Sequence, residues 1–210
     1  MKTLPFLLEI GVEEIPDWMI RPALENLREL FNGLLKAHQL PGEVTAVDAT
    51  PRRLVLRAAG LPSKQTDRSE FVTGPPKSAG EGAAAGFARK LGVEVSALKV
   101  THTAKGEYFS YKKKVKGRRT AEILAEALPD LILKIYFPKT MYWTGKRERF
   151  IRPIRWIVAL LGNKAVAFEI AGVKSGNTTA GHRLLGKKKI RVAIGNYEQQ
   201  LRDNGVLVSA

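Results

Sequence analysis

An amphipathic helical pattern that directly follows a short apolar run constrains the fold of this chain most strongly. Residues 6–12 (FLLEIGV) are typical of a short buried strand. Over residues 18–36 the apolar side chains recur every three or four positions, which predicts a helix with one apolar face. Two further strands are predicted at 44–49 and 54–59. A strand, a helix and a strand pair predict a compact α+β domain over residues 1–60.

The remainder of the chain predicts shorter elements. Residues 61–82 are rich in Pro, Ser, Gly and charge, so they are predicted to be a linker. Residues 83–210 are predicted to form a basic α+β region, for which a division into 83–135 and 136–210 is an alternative. Helices are predicted at 82–92, at 120–135 with an interruption at Pro129, and at 197–203; strand pairs are predicted at 99–115 and 156–170.

The predicted fold class is therefore α+β, with two or more small mixed domains built from antiparallel strand pairs and packed helices. Residues 205–210 begin a further strand pattern without completing it. We therefore expect these 210 residues to be truncated at the C-terminus relative to a longer protein.

The positive charge is concentrated in the second half of the chain. Residues 1–100 carry 13 Lys and Arg against 12 Asp and Glu, whereas residues 101–210 carry 22 against 8. Such a local excess favours a polyanion or an anionic membrane surface as partner. No run of about 18 apolar residues is present, so a membrane partner is disfavoured and a nucleic acid is favoured.

The residue inventory excludes several kinds of chemistry. The chain has no cysteine, which excludes disulfides, thiolate zinc sites and cysteine nucleophiles. The three histidines stand apart from any Asp or Glu cluster, so no metal site is predicted. No GxGxxG or GxxxxGK[ST] motif occurs in the required context, so no nucleotide-binding loop is predicted. No export signal is visible, and a cytoplasmic location is expected.

The segment 136–156, YFPKTMYWTGKRERFIRPIRW, combines six aromatic with six basic residues. Basic groups neutralise phosphates and aromatic rings stack on bases, which favours an RNA-contacting surface. The alternative is that the aromatic residues are core and the basic residues form a solvated rim. The sequence leaves open which of these holds for Trp143 and Trp156.

Two charged clusters in the first half have more than one interpretation. Arg52 and Arg53 lie on the turn of the first strand pair and could hold a carboxylate or a phosphate, or could be a solvated hairpin end. Glu9, Glu13 and Glu14 form an acidic group near the N-terminus. A salt-bridge or subunit-contact role is favoured for these three over catalysis, because no nucleophile accompanies them.

A second basic cluster follows the polar loop 175–179. Gly181 permits close backbone approach, and the adjacent His and Arg supply hydrogen-bond donors suited to a phosphate or a base edge. Clustered lysines just beyond would add salt-sensitive affinity, although a solvated edge is the alternative for them alone. The predicted RNA-binding residues are Arg152, Arg155, His182, Arg183, Lys187, Lys188 and Lys189.

Eight motifs occur in one order along the chain and together resemble a known family. They are FLLEIGVEEIP (6–16), TPRRLVL (50–56), GPP (74–76), AAAGFARKLG (83–92), GEYF (106–109), FPKTMYW (137–143), FIRPIRWIVALLG (150–162) and TAGHRLLG (179–186). The chain resembles the N-terminal part of the beta subunit of bacterial tetrameric glycyl-tRNA synthetase. It departs from the family at Val12, Ile15, Tyr142 and Leu184, where the family typically has Thr, Leu, Arg and Phe.

The resemblance implies a division of labour. In that family the alpha subunit is a class II catalytic core that makes glycyl-adenylate, so ATP and Mg²⁺ are expected there and no cofactor is expected in this chain. The longer beta subunit recognises tRNA and carries later domains similar to HD and anticodon-binding modules. This chain is accordingly expected to be inactive alone and to have tRNA(Gly) and the alpha subunit as partners.

Three functional hypotheses remain at the level of sequence. The first is an accessory tRNA-binding and alpha-docking portion of glycine–tRNA ligase. The second is a structural brace for the alpha dimer without direct tRNA recognition. The third, a hydrolytic editing domain, is chemically poor because His182 is the only candidate base.

Overall fold

The computed structural model describes residues 3–103, 106–142 and 148–208. The chain divides into two compact units, one formed by Met1–Gln65 with Arg118–Ala210 and the other by Thr66–Gly117. Unit 1 contains β1 (Thr3–Val12), α1 (Asp17–Ala37), β2 (Glu43–Thr50) and β3 (Arg53–Pro62) before the insertion of unit 2.

Unit 2 contains β4 (Arg68–Pro76), α2 (Gly80–Leu91), β5 (Lys99–Thr103) and β6 (Gly106–Val115). Unit 1 then resumes with α3 (Thr120–Leu133), β7 (Met141–Tyr142), β8 (Arg149–Phe150), β9 (Ile154–Leu161), β10 (Lys164–Ala165), β11 (Glu169–Ile170), β12 (Val173–Gly176), β13 (Thr178–Thr179), β14 (Ile190–Arg191) and α4 (Tyr197–Arg202). These elements confirm the predicted α+β class.

A seven-stranded sheet organises unit 1. Its strand order is β11-β12-β9-β1-β3-β2, with β10 paired to β9. The pairs are antiparallel except for β12 with β9, which is parallel. The apolar N-terminal run therefore becomes a central strand, flanked by β3 on one side and β9 on the other.

Side-chain alternation gives this sheet two unlike faces, because successive residues of a strand point to opposite sides. On the first face, Phe6, Leu8 and Ile10 of β1 pack with Leu56 of β3 and with α1 and α3. Phe31 of α1 stacks on Phe6 with a centroid distance of 5.2 Å. This helix-covered face holds the larger core of unit 1.

The second face of the sheet carries a smaller apolar cluster and the buried polar side chains of the central strands. Leu7, Val55 and Val158 pack there against the segment that leads into and includes α4. Glu9 and Arg53 lie on the same face, with Glu9 fully buried and Arg53 nearly so. The second face is therefore where the chain places its buried charges.

The chain leaves and re-enters unit 1 at adjacent backbone positions. The amide of Gln65 donates to the carbonyl of Arg118 at 2.9 Å, and the amide of Arg118 donates to Gln65 Oε1 at 3.1 Å. Lys64 and Arg119 form an isolated antiparallel bridge. The segments that lead into and out of unit 2 are thus held side by side within unit 1.

Several elements differ from the sequence predictions. The stretch 61–82, predicted as a linker, contains β4, and the boundaries of the two units do not coincide with the predicted domain bounds at 60 and 83. Helix α3 runs unbroken through Pro129, because Leu128, Leu131 and Ile132 are buried and this packing outweighs the lost helical hydrogen bond. Residues 206–208 form no strand, and the strand predicted over 165–170 is two short ones.

Candidate nucleic-acid interface

The structure brings most of the predicted cations of unit 1 together around one segment, residues 179–181. One cavity on one side of this segment has a volume of about 450 Å³, and its lining includes Arg52, Arg53, His182 and Arg183. A second cavity, of about 540 Å³, is lined in part by Arg155, Lys188 and Lys189. Residues separated by more than a hundred positions in sequence therefore converge on adjoining surfaces.

The second cavity has the more one-sided charge. Among the described residues, four basic side chains line it and no acidic one does. The fourth is Lys174 of β12, which was not among the predicted RNA-binding residues. Ser175, Asn177 and Thr178 add polar groups to the same wall. Such a lining suits a phosphate-bearing ligand, since cations neutralise phosphates and neutral donors position them.

The first cavity contains arginine donors that are incompletely satisfied. Arg52 Nε and Arg53 Nε are buried and have no hydrogen-bond partner among the described residues. Glu14 also lines this cavity, so it is less uniformly basic than the second one.

A buried hydrogen-bond network centres on Glu9. Its Oε1 accepts hydrogen bonds from Thr179 Oγ1 at 2.6 Å, from the indole N–H of Trp156, and from Arg53 Nη1 at 3.4 Å. Its Oε2 accepts from the hydroxyl of Tyr197 at 2.5 Å. Four side chains from four separate parts of unit 1 thus share one carboxylate.

The guanidinium of Arg53 extends this network to the segment between the cavities. Its Nη2 donates to the carbonyl of Ala180 at 2.9 Å, and its Nη1 lies 3.5 Å from Thr179 Oγ1. Arg53 is therefore a positioning group for residues 179–180, and most of its donors are already engaged. The anion-binding capacity predicted for the pair then falls mainly on Arg52.

The Glu13 carboxylate lies beside one arginine of each cavity. Its carboxylate lies 2.6 Å from Arg155 Nε and 3.7 Å from Arg52 Nη2. The predicted salt-bridge role of the acidic group is therefore seen at Glu9 and at Glu13. Arg155 is more than half exposed, so its other N–H groups stay accessible to a ligand.

Trp156 belongs to the packing of the second face. Its ring lies directly over Gly11, where an added Cβ would approach the ring carbons to 1.9 Å. The Arg53 guanidinium sits 5.5 Å from the ring centroid, a cation–π distance. Glycine at position 11 is thus what allows the indole to reach Glu9. Trp143 lies outside the described residues.

The other aromatic residues of 136–156 divide between the two interpretations. Phe137 and Phe150 are buried and meet edge to face at 5.2 Å. Tyr136 and Tyr142 are exposed, and Arg149 lies 5.1 Å from the Tyr142 ring centroid. Part of the segment is core and part is a basic-aromatic surface.

His182 holds a tight turn. Its Nδ1 accepts hydrogen bonds from the amides of Leu184 and Leu185 at 3.3 Å, which requires a ring without a proton on that nitrogen. Its own amide donates to the carbonyl of Asn204 at 2.8 Å. The close contact of Gly186 with that carbonyl leaves no room for a side chain at 186.

The remaining predicted residues lie beside these cavities. Arg152 is exposed and its Nε donates to the carbonyl of Glu14 at 3.1 Å. Lys187 is exposed, and its amide donates to Asn204 Oδ1 at 3.1 Å. Within the residues that the structure describes, no group of three or more His, Cys, Asp or Glu side chains is placed to hold a metal ion, and no helix is long and apolar enough to cross a membrane.

Burial also changes the acidity of the network. The pKa of the Tyr197 hydroxyl is raised well above its usual value, mainly because burial disfavours the phenolate and further because the Glu9 carboxylate lies beside it. Tyr197 therefore stays protonated and remains a donor to Glu9 over the ordinary pH range.

The geometry defines a basic surface with neighbouring polar groups on an α+β scaffold. A family model described as glycyl-tRNA synthetase beta subunit matches residues 6–210, so the chain belongs to that family.

Curated relatives agree with this assignment. The chain is 48% identical over 189 residues to a glycine–tRNA ligase beta subunit of Acidobacterium capsulatum, covering 86% of the chain and 27% of that protein. It is 44% identical over 186 residues to the one of Trichlorobacter lovleyi (85% and 27%), and 37% identical over 210 residues to the one of Clostridioides difficile (96% and 30%). The chain thus spans less than a third of the length of these relatives.

Replacing Glu9 with Ala should lower the free energy of unfolding by about 3–5 kcal/mol, because Arg53 would stay buried without its counter-charge. Urea denaturation measures the change. The matched control is Glu29→Ala on the exposed side of α1, which should change stability by less than about 0.5 kcal/mol. Equal, small effects of both substitutions would show that the network does not stabilise the fold.

The hydroxyl of Tyr197 should make a pH-dependent contribution to stability. Because its pKa is raised in the folded state, this contribution is complete below the pKa of an unfolded tyrosine, about 10, and is lost as the pH rises above it. Tyr197→Phe should therefore cost about 1–3 kcal/mol at pH 8 and progressively less above pH 10. Denaturation at several pH values tests this, with the exposed Tyr136→Phe as control. A difference between wild type and Tyr197→Phe that does not change with pH would contradict it.

Proposed function

We propose that this chain is a tRNA-binding and alpha-subunit-docking portion of glycine–tRNA ligase, and that it supports ATP-dependent attachment of glycine to tRNA(Gly). Membership of the beta-subunit family supports the link to glycine–tRNA ligation. The observation that carries the RNA-binding role is the second cavity, whose lining in the described part of the chain has four basic residues and no acidic one.

The proposed contact is mainly with the phosphate backbone. Arg155, Lys174, Lys188 and Lys189 are exposed side chains around that cavity, and each can neutralise a phosphate. Arg52, His182 and Arg183 extend the surface into the first cavity. Backbone contacts of this type position an RNA without reading its sequence, so discrimination of tRNA(Gly) would need base contacts in addition.

Catalysis is assigned to the partner in this proposal. The class II catalytic site, with ATP and Mg²⁺, would lie on the alpha subunit, and this chain would contribute no catalytic residue. The heterotetramer and its cytoplasmic location belong to the same proposal. The network around Glu9 then has a structural role, which is to hold residues 179–180 between the two cavities.

A second candidate function is a brace for the alpha subunit. The observation that favours it is a set of exposed leucines. Leu184 and Leu185, on the turn held by His182, are each 84% exposed, and Leu207, after α4, is 71% exposed. Exposed leucines of this kind are typical of a protein contact. The two roles are compatible, because the leucines and the cations of the second cavity are different residues.

Replacing both Lys188 and Lys189 by Gln should weaken tRNA(Gly) binding by the 210-residue chain and reduce the salt dependence of log K by up to about two units of slope. Arg152→Ala with Arg155→Ala should have an effect of the same size. A salt series with tRNA(Gly) and a non-cognate tRNA measures both affinity and preference.

The matched control is Lys36→Gln with Lys134→Gln. These two lysines are exposed at the ends of α1 and α3, on the helix-covered side of unit 1. The control should leave the slope nearly unchanged, since the same charge is removed from another surface. If the control lowers tRNA affinity and salt slope as much as Lys188→Gln with Lys189→Gln does, only net charge matters and a localised site is contradicted. The double variant Leu184→Ser with Leu185→Ser tests the brace. If this variant still binds tRNA but no longer binds the alpha subunit, the brace is favoured as an additional role.

A further inference from the structure

The three-stranded sheet of unit 2 has one covered and one open face. Its strand order is β4-β6-β5, and both pairs are antiparallel. Phe71 pairs with Lys112 and Val72 with Tyr111, so these two pairs point to opposite sides of the sheet. Phe71 and Lys112 are exposed, whereas Val72 and Tyr111 are half-buried. The pattern has exceptions, since Ser110 on the first side is buried and Val100 on the second is 40% exposed.

The covered face packs against α2. Val72, Phe109 and Tyr111 are half-buried on this side, and Ala84 and Ala88 of the helix are buried. The ring of Phe87 lies so close to Gly74 that an added Cβ would approach it to 2.6 Å. This face is the core of unit 2.

The open face is basic and carries an exposed aromatic ring. Phe71 is 69% exposed, and Lys99, Lys112 and Lys114 are exposed on the same side. Lys112 Nζ lies 5.7 Å from the centroid of the Phe71 ring. None of these three lysines forms an ion pair with a described residue.

Acidic residues are absent from this face in the described part of the strands. The two glutamates of the three strands, Glu70 and Glu107, alternate onto the other side, with Glu70 opposite Lys113 and Glu107 bonded to Lys77. Lys112 and Lys114 are two positions apart on one strand, which spaces their Cα atoms by about 6.8 Å. The open face therefore presents a row of exposed lysines beside an exposed aromatic ring.

We propose that the open face of β4, β6 and β5 binds single-stranded RNA, with a base stacked on Phe71 and phosphates neutralised by Lys99, Lys112 and Lys114. A sheet surface that combines exposed aromatic rings with cations is suited to unpaired nucleotides, because every base has a face for stacking and every linkage carries a charge. An acidic protein would satisfy the lysines and would leave the exposed ring without a role. The inference builds on the proposed function but assigns a second contact on a different surface.

The test uses the 210-residue chain and a 12-nucleotide RNA without secondary structure. Lys112→Gln with Lys114→Gln should weaken binding and reduce the salt slope by about 1.4, because each phosphate contact to a single strand contributes about 0.7. Phe71→Ala should weaken binding by about 5- to 150-fold at an unchanged slope, because stacking releases no counterions. Circular dichroism checks that each variant stays folded, which is expected since all three positions are exposed.

Lys113 offers a matched control within the same lysine run. It lies between the two tested lysines in sequence but on the other face of the sheet, and Lys90 is exposed on the helix that covers that face. Lys90→Gln with Lys113→Gln removes the same charge and should change affinity and slope much less. Equal effects of the two double variants, or no effect of Phe71→Ala, would overturn the proposal. Binding of an acidic peptide at the open face in preference to the RNA would overturn it as well.

The two proposals can fail separately. Lys188→Gln with Lys189→Gln should weaken tRNA binding and leave binding of the short RNA to unit 2 unchanged. If the variants of unit 2 leave short-RNA binding unchanged while the unit 1 variant still weakens tRNA binding, the open-face site is disproved and the proposed function stands. If only the unit 2 variants have effects, the tRNA contact assigned to the second cavity is disproved and the open-face site stands.

Discussion

The fully buried carboxylate of Glu9 is the interaction on which unit 1 depends. A charge in a central strand is costly unless its lone pairs are occupied, and here Arg53, Trp156, Thr179 and Tyr197 donate to it. These donors come from β3, β9, β13 and α4, so one carboxylate fixes four elements on the second face of the sheet. The same network determines where residues 179–180 lie.

The two faces of the sheet differ in composition. The helix-covered face is almost wholly apolar, with Phe6 stacked on Phe31, and it holds the larger core of unit 1. The second face is smaller and polar, and the cations accumulate along its margin. The Lys and Arg side chains of that margin are exposed, so solvent and salt screen their mutual repulsion.

Local periodicity predicted the fold well and the site only in part. Helix α1 and the strands around it follow from the spacing of their apolar residues, and the acidic group was correctly interpreted as salt-bridging at Glu9 and Glu13. The inward direction of Arg53 was not predictable, because it depends on partners more than a hundred residues away. Lys174 was missed because a single lysine in a short strand has no local signal, and β4 was missed because its prolines and glycine are typical of loops.

The insertion of unit 2 between residues 65 and 118 has a thermodynamic consequence. Because Gln65 and Arg118 are hydrogen-bonded within unit 1, the ends of the inserted segment are already joined whether or not it is folded. The conformational entropy of closing that loop depends only weakly on its length, so residues can be added to or removed from the insertion with little change in the stability of unit 1.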